Sequence, residues 1–212
     1  FKFFLISFLA KIKKIFHYGF FKKNVSITAF VFQKTGDWLK IPHLKLPKCK
    51  IYFEPTVQEN NNIIIGIGGS GSNKKWSIKN YITLIGELSK KIPNKSFIIA
   101  GGNKERLDAE QILQRFKNVK SICDLNISET LNYLSKSKFY IGNDTGFMHL
   151  ASSLGVLSFG IFGDTPTDYS SYNQLIVPIM PPNYNEVKQN DGAMSKISVK
   201  HVLKELEKKK KK

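Results

Sequence analysis

Short apolar runs alternate with segments of helical periodicity along most of the chain. The apolar runs occupy residues 63–68, 96–102, 119–123, 138–144, 156–163 and 174–179. They predict strands that are buried on both faces of a sheet. Apolar residues recur at helical spacing in residues 78–92, 107–116, 127–136, 147–155 and about 197–208. Strands that alternate with helices predict an α/β fold with a Rossmann-like, doubly wound parallel sheet, whose ligands bind at the carboxyl ends of the strands.

The first part of the chain lacks this regular pattern. Residues 3–16 predict a helix, and the β-branched and aromatic side chains of residues 17–32 predict a strand or two. Three prolines at residues 42–55, followed by a run of asparagines, indicate a linker. We therefore expect two parts, an incomplete unit with its linker at residues 1–57 and a regular domain at residues 58–212.

The large positive charge of the chain does not by itself identify a binding partner. The formal net charge is +17, yet only Arg106 and Arg115 are arginines, so lysine supplies nearly all of the excess. This excess is consistent with anionic partners, and equally with the codon bias of an AT-rich genome that also favours Asn, Ile and Phe. The lysines are spread along the chain without an arginine-rich helix, so we expect no nucleic acid partner. The lysines at 208–212 form either a solvated helix end or a contact with anionic lipid.

Other sequence features limit the compartment and the chemistry. Cys49 and Cys123 lie in no CxxC motif and near no histidine cluster, so we expect neither a disulfide nor a zinc site, and a reducing compartment. The apolar residues 1–16 are interrupted by lysines and are too short to span a bilayer. They predict a helix left from a truncated domain or, alternatively, an amphipathic helix at a membrane surface.

A glycine-rich loop follows the first regular strand. IIIGIGGSGSNKKW, residues 63–76, satisfies GxGxxG but lacks the acid after the second strand that a dinucleotide site requires. A Walker loop is excluded because Ser-Asn, rather than Lys-Ser, follows Gly71. The backbone N–H groups of residues 68–72, the Ser70 hydroxyl and the Lys74 cation could hold an anion. The alternative is a tight turn that binds nothing.

The loop after the fourth strand gives the more specific signal. In GNDTGFMHLASSLGV, residues 142–156, Asp144 is the predicted N-cap, and Thr145 and Gly146 open a helix. The free backbone N–H groups and the helix dipole at such a terminus favour a phosphate. His149 lies one turn after Thr145 and is expected to face the same ligand. The predicted buried stripe of this helix is Phe147, Leu150, Ala151 and Leu154.

These motifs resemble those of glycosyltransferase family 9, the ADP-heptose:lipopolysaccharide heptosyltransferases. NDTGFMHLASSLGVLSFGIFGDT is similar to the family signature, although Phe147 and Leu157 stand where the family usually has proline. GSGSNKKW resembles its first loop, which ends in K-x-W, and FIIAGGNKE resembles its second-strand motif. The resemblance covers residues 63–177 and extends weakly into residues 1–57. It implies the C-terminal half of a GT-B fold, in which two Rossmann-like domains face each other across a cleft.

The resemblance also implies which residues bind the phosphates of a nucleotide-sugar donor. Ser70 and Lys74 of the first loop would contact the donor's phosphates or sugar. Thr145 and Gly146, at the start of the helix after the fourth strand, would contact the diphosphate. Lys75, the second lysine of the first loop, is expected to be solvated, and Trp76 is expected to anchor the loop to the core.

Other positions are implied to bind the nucleoside and the sugar. Glu105, after the second strand, would bind the adenosine ribose, and Leu125, after the third, would line the adenine pocket. Asp144 would hold sugar hydroxyls with His149 nearby. The alternative for Glu105 is an exposed charge at the start of a helix.

The implied reaction is transfer of a sugar from ADP-heptose, or a similar nucleotide-sugar, to lipopolysaccharide core with inversion. The family's general base is an aspartate near the start of the N-terminal domain, and Asp37, the only aspartate before residue 100, does not match its context. No catalytic residue is therefore assigned, and we expect a donor-binding half that can bind donor without turning it over. We expect no metal and no cofactor besides the donor.

The implied location is the cytoplasm, with peripheral contact at the anionic surface of the inner membrane. Two alternatives stay open. One keeps the fold and changes the donor, for instance to a UDP-sugar. The other is a non-catalytic, basic Rossmann-like module that binds a nucleotide, nucleic acid or membrane.

Overall fold

The computed structural model of the chain describes residues 27–41, 49–56, 62–187 and 192–210. The chain divides into two compact units, Phe1–Pro47 and Lys48–Lys212. The functional division predicted between residues 57 and 58 stays a prediction. The helix predicted at residues 3–16 lies outside the described residues.

The described part of the first unit contains one helix, α1, at Ile27–Leu39. The prediction of a strand in residues 17–32 is therefore wrong for residues 27–32, and the rest of that segment lies outside the described residues. Strand propensity reflects packing against neighbouring strands, and the described residues of this unit provide no partner strand. A helix satisfies the backbone of this segment without one.

The second unit is built on a six-stranded sheet whose neighbouring strands all run parallel. Its strands are β1 (Ile63–Gly66), β2 (Phe97–Ala100), β3 (Val119–Ser121), β4 (Phe139–Asn143), β5 (Ser158–Ile161) and β6 (Ile176–Ile179). Their order is β3-β2-β1-β4-β5-β6. This order confirms the predicted doubly wound sheet. Each strand is shorter than the apolar run that predicted it, because pairing stops where the chain turns into a loop.

Helices cover both faces of this sheet. They are α2 (Ile78–Lys91), α3 (Arg106–Leu113), α4 (Ile127–Ser135), α5 (Gly146–Ser153) and α6 (Val199–Lys210). The apolar side chains of α2, α3 and α6 pack in one core with Ile63 and Ile65, and those of α4 and α5 pack in a second core with Ile64. The side chains of successive residues of β1 therefore pack into cores on opposite faces of the sheet. Because both faces are buried, every residue of this strand is apolar and polar residues do not alternate with apolar ones.

Two of these helices begin with side-chain caps that their sequences encode. The Ser77 hydroxyl accepts a hydrogen bond from the backbone N–H of Asn80 at the start of α2. Asn126 and Glu129 form a reciprocal capping box at the start of α4. Each cap satisfies backbone donors that have no partner inside the helix. None of the helices in the described ranges has the length and apolar character needed to cross a membrane.

The two cysteines are both free and differ in exposure, which gives a direct test of the fold. Cys49 is exposed, whereas Cys123 is buried after β3 with 3% of its surface accessible. Burial raises the pKa of the Cys123 thiol, with smaller contributions from nearby carboxylates. We expect a thiol-reactive chromophore to label one thiol per chain in native buffer and both in denaturant, because the thiolate is the reactive form. A Cys49→Ser variant that still labels rapidly would contradict the burial of Cys123.

Candidate functional site

A crevice opens at the carboxyl edge of the sheet, where the winding direction reverses between β1 and β4. It encloses a cavity of about 730 Å³. Loops after three strands line it, together with the first residue of α4 and the beginning of α5. The lining residues are Gly68, Gly69, Ser70, Gly102, Asn103, Lys104, Glu105, Ile127, Asp144, Thr145, Gly146, Phe147 and Leu150. In doubly wound sheets this reversal point is where ligands bind.

The loop after β1 is fixed at its far end by Trp76. This side chain is 1% exposed, and its indole N–H donates to the carbonyl of Ile197 at 2.7 Å. It also packs edge-on against Tyr81, with the ring centroids 5.0 Å apart. Gly71 has φ +140°, a conformation that glycine adopts without strain. The structure thus confirms Trp76 as the anchor of the loop and leaves the backbone of Gly68 and Gly69 open to the cavity.

Asn143, the last residue of β4, connects the loop after β1 to the end of β4. Its side-chain amide donates to the carbonyls of Ile67 and Gly68 at 3.1 and 2.8 Å. Its side-chain oxygen accepts from the Trp76 backbone N–H at 3.0 Å and from the Tyr81 hydroxyl at 2.9 Å. Asn143 is fully buried. Asn143 is not among the predicted site residues, and the available sequence signal was a polar residue at the end of an apolar strand.

The start of α5 differs from the prediction by one residue. Thr145, rather than Asp144, is the N-cap, with extended backbone and no side-chain capping bond. Asp144 instead lies beside His149, whose Nε2 is 3.4 Å from Asp144 Oδ1. The Tyr140 hydroxyl lies 3.4 Å from Thr145 Oγ1 and donates to the Asn143 carbonyl at 3.2 Å. Burial raises the pKa of Tyr140, so the hydroxyl beside Thr145 stays protonated.

The buried face of α5 is also rotated relative to the predicted stripe. Its buried residues are Met148, Ala151, Ser152 and Ser153. The predicted stripe is confirmed for Ala151, which is fully buried, whereas Phe147, Leu150 and Leu154 are only partly buried against the same core. Phe147 and Leu150 also line the cavity, because the helix lies at the rim of the crevice. Gly146 is exposed, and a Cβ added to it would meet no atom within 4 Å, so a ligand can approach the start of the helix closely at this residue.

His149 lies between the Tyr172 hydroxyl and the Asp144 carboxylate. Its Nδ1 lies 2.6 Å from the Tyr172 hydroxyl, and the two rings stack with centroids 5.7 Å apart. Burial raises the pKa of Tyr172, and Cys49 and Asp144 add to the effect. The protonated Tyr172 hydroxyl and the Asp144 carboxylate therefore lie at opposite nitrogens of the His149 ring.

Glu105 is neither exposed nor free at the start of its helix. It is 7% exposed, and its Oε2 accepts from the backbone N–H of Gly102 at 2.9 Å. Its Oε1 pairs with Lys75 Nζ at 2.7 Å. The prediction that Lys75 is solvated is therefore wrong, because this lysine crosses from the first loop to a buried carboxylate. The identity of a lysine's partner depends on tertiary geometry, which residue spacing alone does not give.

The crevice brings together five of the predicted site residues and leaves three outside its lining. Ser70, Glu105, Asp144, Thr145 and Gly146 line the cavity. The lining of the cavity in the described ranges does not include Lys74, Leu125 or His149. Their roles, like those of the other site residues, stay predictions. No group of three or more His, Cys, Asp or Glu side chains among the described residues is placed to hold a metal ion.

A parallel sheet in this order, with a helix terminus and a glycine loop at its reversal point, defines the Rossmann-like class of α/β domains. Residues 24–197 match glycosyltransferase family 9 (heptosyltransferase). The chain therefore belongs to this family, which confirms the resemblance of its motifs.

Three relatives show the extent of the similarity. Lipopolysaccharide heptosyltransferase 1 of Campylobacter coli is 26% identical over 157 residues, covering 69% of this chain and 46% of that protein. The E. coli heptosyltransferase WaaC, solved with ADP, has a TM-score of 0.68 at 14% identity and covers 92% of this chain and 59% of its own. E. coli ADP-heptose lps heptosyltransferase II has a TM-score of 0.67 at 16% identity, covering 89% and 58%. The two structures share the fold, and the chain spans about half the length of these relatives.

Proposed function

We propose that this chain provides the donor-binding half of a heptosyltransferase that transfers a heptose from ADP-heptose to lipopolysaccharide core. The observation that carries the proposal is the convergence of three strand-end loops on one cavity. Each loop brings a group that an ADP-sugar requires. The glycine loop offers unhindered backbone to phosphate, Glu105 offers a carboxylate to ribose, and the start of α5 offers amides to the diphosphate.

The proposed reaction is a direct displacement. An acceptor hydroxyl attacks the anomeric carbon while the bond from that carbon to the diphosphate oxygen breaks, so the configuration inverts. ADP leaves with the bonding electrons, and the hydroxyl proton passes to a base that is not among the residues assigned here. The N–H of Gly146 and the hydroxyl of Thr145 would stabilise the charge that grows on the leaving diphosphate. No metal ion is needed for that stabilisation.

The family and the names of the relatives support this choice of donor and acceptor. One E. coli relative is solved with ADP and the other is named for ADP-heptose. The Campylobacter coli relative is named for lipopolysaccharide. We extend these chemistries to the present chain as a proposal. Leu125 would contact the adenine, and Lys74 and His149 would approach the diphosphate and the sugar once the donor is bound.

The proposal includes a location, the cytoplasmic surface of the inner membrane. A lipid-linked acceptor lies at a membrane surface, and a formal net charge of +17 favours contact with anionic lipid.

A comparison of thermal shifts with ADP, UDP, GDP and NAD tests the proposed donor. A ligand at about 100 times its Kd stabilises the folded state by about 2.7 kcal/mol. For a chain of this size that is a rise in Tm of about 5–10 °C. We expect ADP to give the largest rise. A clearly larger rise with UDP would overturn the assignment of the donor.

The same measurement tests the helix terminus through a pair of threonine variants. We expect Thr145→Val to bind ADP several-fold more weakly, because it removes a hydroxyl at the proposed diphosphate position while keeping the shape of the side chain. Thr83→Val is the matched control, since Thr83 lies on the exposed side of α2 and its hydroxyl bonds only to the Lys79 carbonyl in the described structure. Equal ADP responses from the two variants would contradict the role of Thr145.

A further inference from the structure

Lys75 lies outside the lining of the crevice but pairs with Glu105, which lines it, and neither the family motif nor the proposed reaction gives this lysine a role. Its Nζ lies 2.7 Å from Glu105 Oε1, and the two side chains are 30% and 9% exposed. We infer that Lys75 is a positioning residue that fixes the Glu105 carboxylate for a ribose, separately from any contact with phosphate. This inference rests on the proposed binding of ADP in the crevice.

The carboxylate is held at both of its oxygens. Lys75 holds Oε1, and the backbone N–H of Gly102 donates to Oε2 at 2.9 Å. An ionised carboxylate can accept about four hydrogen bonds. Two acceptor positions therefore remain on a side chain that lines the cavity. Two is the number that the adjacent 2′- and 3′-hydroxyls of a ribose can fill.

The path of the Lys75 side chain also joins two loops. Lys75 follows the glycine loop after β1, and Glu105 follows β2. A Cβ added to Gly69 would lie 2.8 Å from Lys75 Cγ, so the lysine stem runs closely over the glycine backbone to reach the carboxylate. The ion pair therefore fixes the carboxylate relative to the glycine loop. A ligand that spans both loops requires that relative position.

The effect of removing Lys75 follows from the burial of its partner. A buried carboxylate that loses its cation is left with an incomplete set of hydrogen bonds, and it turns toward water or another donor. The ribose contact would then be lost, whereas the backbone amides that face the phosphates would not change. Lys75 should consequently affect the binding of a nucleoside diphosphate much more than the binding of inorganic pyrophosphate.

The experiment compares adjacent lysines that carry the same charge. Lys75→Met and Lys74→Met are titrated by calorimetry with ADP, 2′,3′-dideoxy-ADP and inorganic pyrophosphate. We expect Lys75→Met to bind ADP about tenfold more weakly and to lose the preference for ADP over the dideoxy form, with pyrophosphate unchanged. Lys74→Met should weaken ADP and pyrophosphate alike. Lys79→Met, an exposed change on α2, should alter none of them.

Further variants separate positioning from a general effect of charge or folding. Lys75→Arg should keep the ribose preference, because it retains a donor to Glu105, and Glu105→Gln should lose it. Urea midpoints and far-UV circular dichroism establish that each variant is folded. An equal loss of ADP and pyrophosphate in Lys75→Met, or an unchanged ribose preference, would overturn the inference alone. A wild-type protein that binds no ADP would overturn the proposed function as well.

Discussion

Gly142→Ala should destabilise the second unit severely. Gly142 pairs with Gly66 where β4 and β1 run side by side. A Cβ built on Gly142 would lie 2.2 Å from the Gly66 carbonyl oxygen and 2.6 Å from its Cα and N. These contacts are to backbone atoms, which a rotamer change cannot move. The two central strands would have to separate, and the register of the sheet would be lost with them.

The expected cost of this single methyl group is a large fraction of the stability of the domain. Overpacking a core usually costs about 1–3 kcal/mol when side chains can adjust. Here they cannot, so we expect a loss above about 3 kcal/mol, against a total of about 5–15 kcal/mol for a typical domain. The measurement is the soluble yield, followed by urea unfolding of whatever protein is recovered.

Gly86→Ala is the matched control for this prediction. Gly86 lies inside α2, and a Cβ added there would meet only the ring of Phe116 at 3.9 Å, an ordinary contact. Alanine in a helix interior is favoured over glycine by about 0.5–1 kcal/mol. The control should therefore fold at least as well as the wild type. A Gly142→Ala protein with an unchanged unfolding midpoint would contradict the close approach of β1 and β4.

The elements of the second unit could be predicted from sequence because their signals are local. Six apolar runs became six parallel strands, and the helical spacing of residues 78–92 became α2. The same local signals gave wrong predictions where contacts with other elements determine the secondary structure or the buried face. The β-branched and aromatic residues of α1 favoured a strand, and the stripe of α5 was assigned without knowing that one side of the helix faces a cavity.

The site was only partly predictable for the same physical reason. Glycine loops and helix N-termini bind anions through their own backbone N–H groups, so their sequence motifs are enough to locate them. Ser70, Thr145 and Gly146 were chosen from such motifs, and all three line the cavity. The roles of Lys75 and Asn143 depend on partners 30 and 62–76 residues away in sequence. No spacing rule connects such positions in a single sequence.

Asn143→Leu should destabilise the protein strongly and disorder the loop after β1. Leucine has the same number and branching of side-chain heavy atoms as asparagine, with bulkier methyl groups, and it makes none of the four hydrogen bonds of the native side chain. The carbonyls of Ile67 and Gly68 and the N–H of Trp76 would each lose their Asn143 partner in a buried site. At about 1–3 kcal/mol for each of these three unsatisfied groups, we expect a loss of about 3–9 kcal/mol. Urea unfolding measures it.

Two comparison variants distinguish the loss of the Asn143 hydrogen bonds from the effect of replacing any polar residue. Tyr81→Phe removes the hydroxyl that lies 2.9 Å from both the Asn143 side-chain oxygen and the Gly66 carbonyl, and it should cost about 1 kcal/mol. Burial raises the pKa of this hydroxyl well above its usual value, so its one proton is present and is shared between the two acceptors. Asn94→Leu changes an exposed turn and should stay within about 0.5 kcal/mol of the wild type.

Hydrogen exchange distinguishes a local effect of Asn143→Leu from a global one. In the wild type, the Trp76 amide is protected by its bond to Asn143, and the indole anchor holds the rest of the loop. If Asn143 fixes the loop, amides of residues 68–76 should exchange much faster in the variant, while those of β2 and β5 change only through the lower global stability. The affinity for ADP should also fall in Asn143→Leu, because residues 68–76 would be less ordered. Unchanged protection of the Trp76 amide would show that the loop holds its position without Asn143.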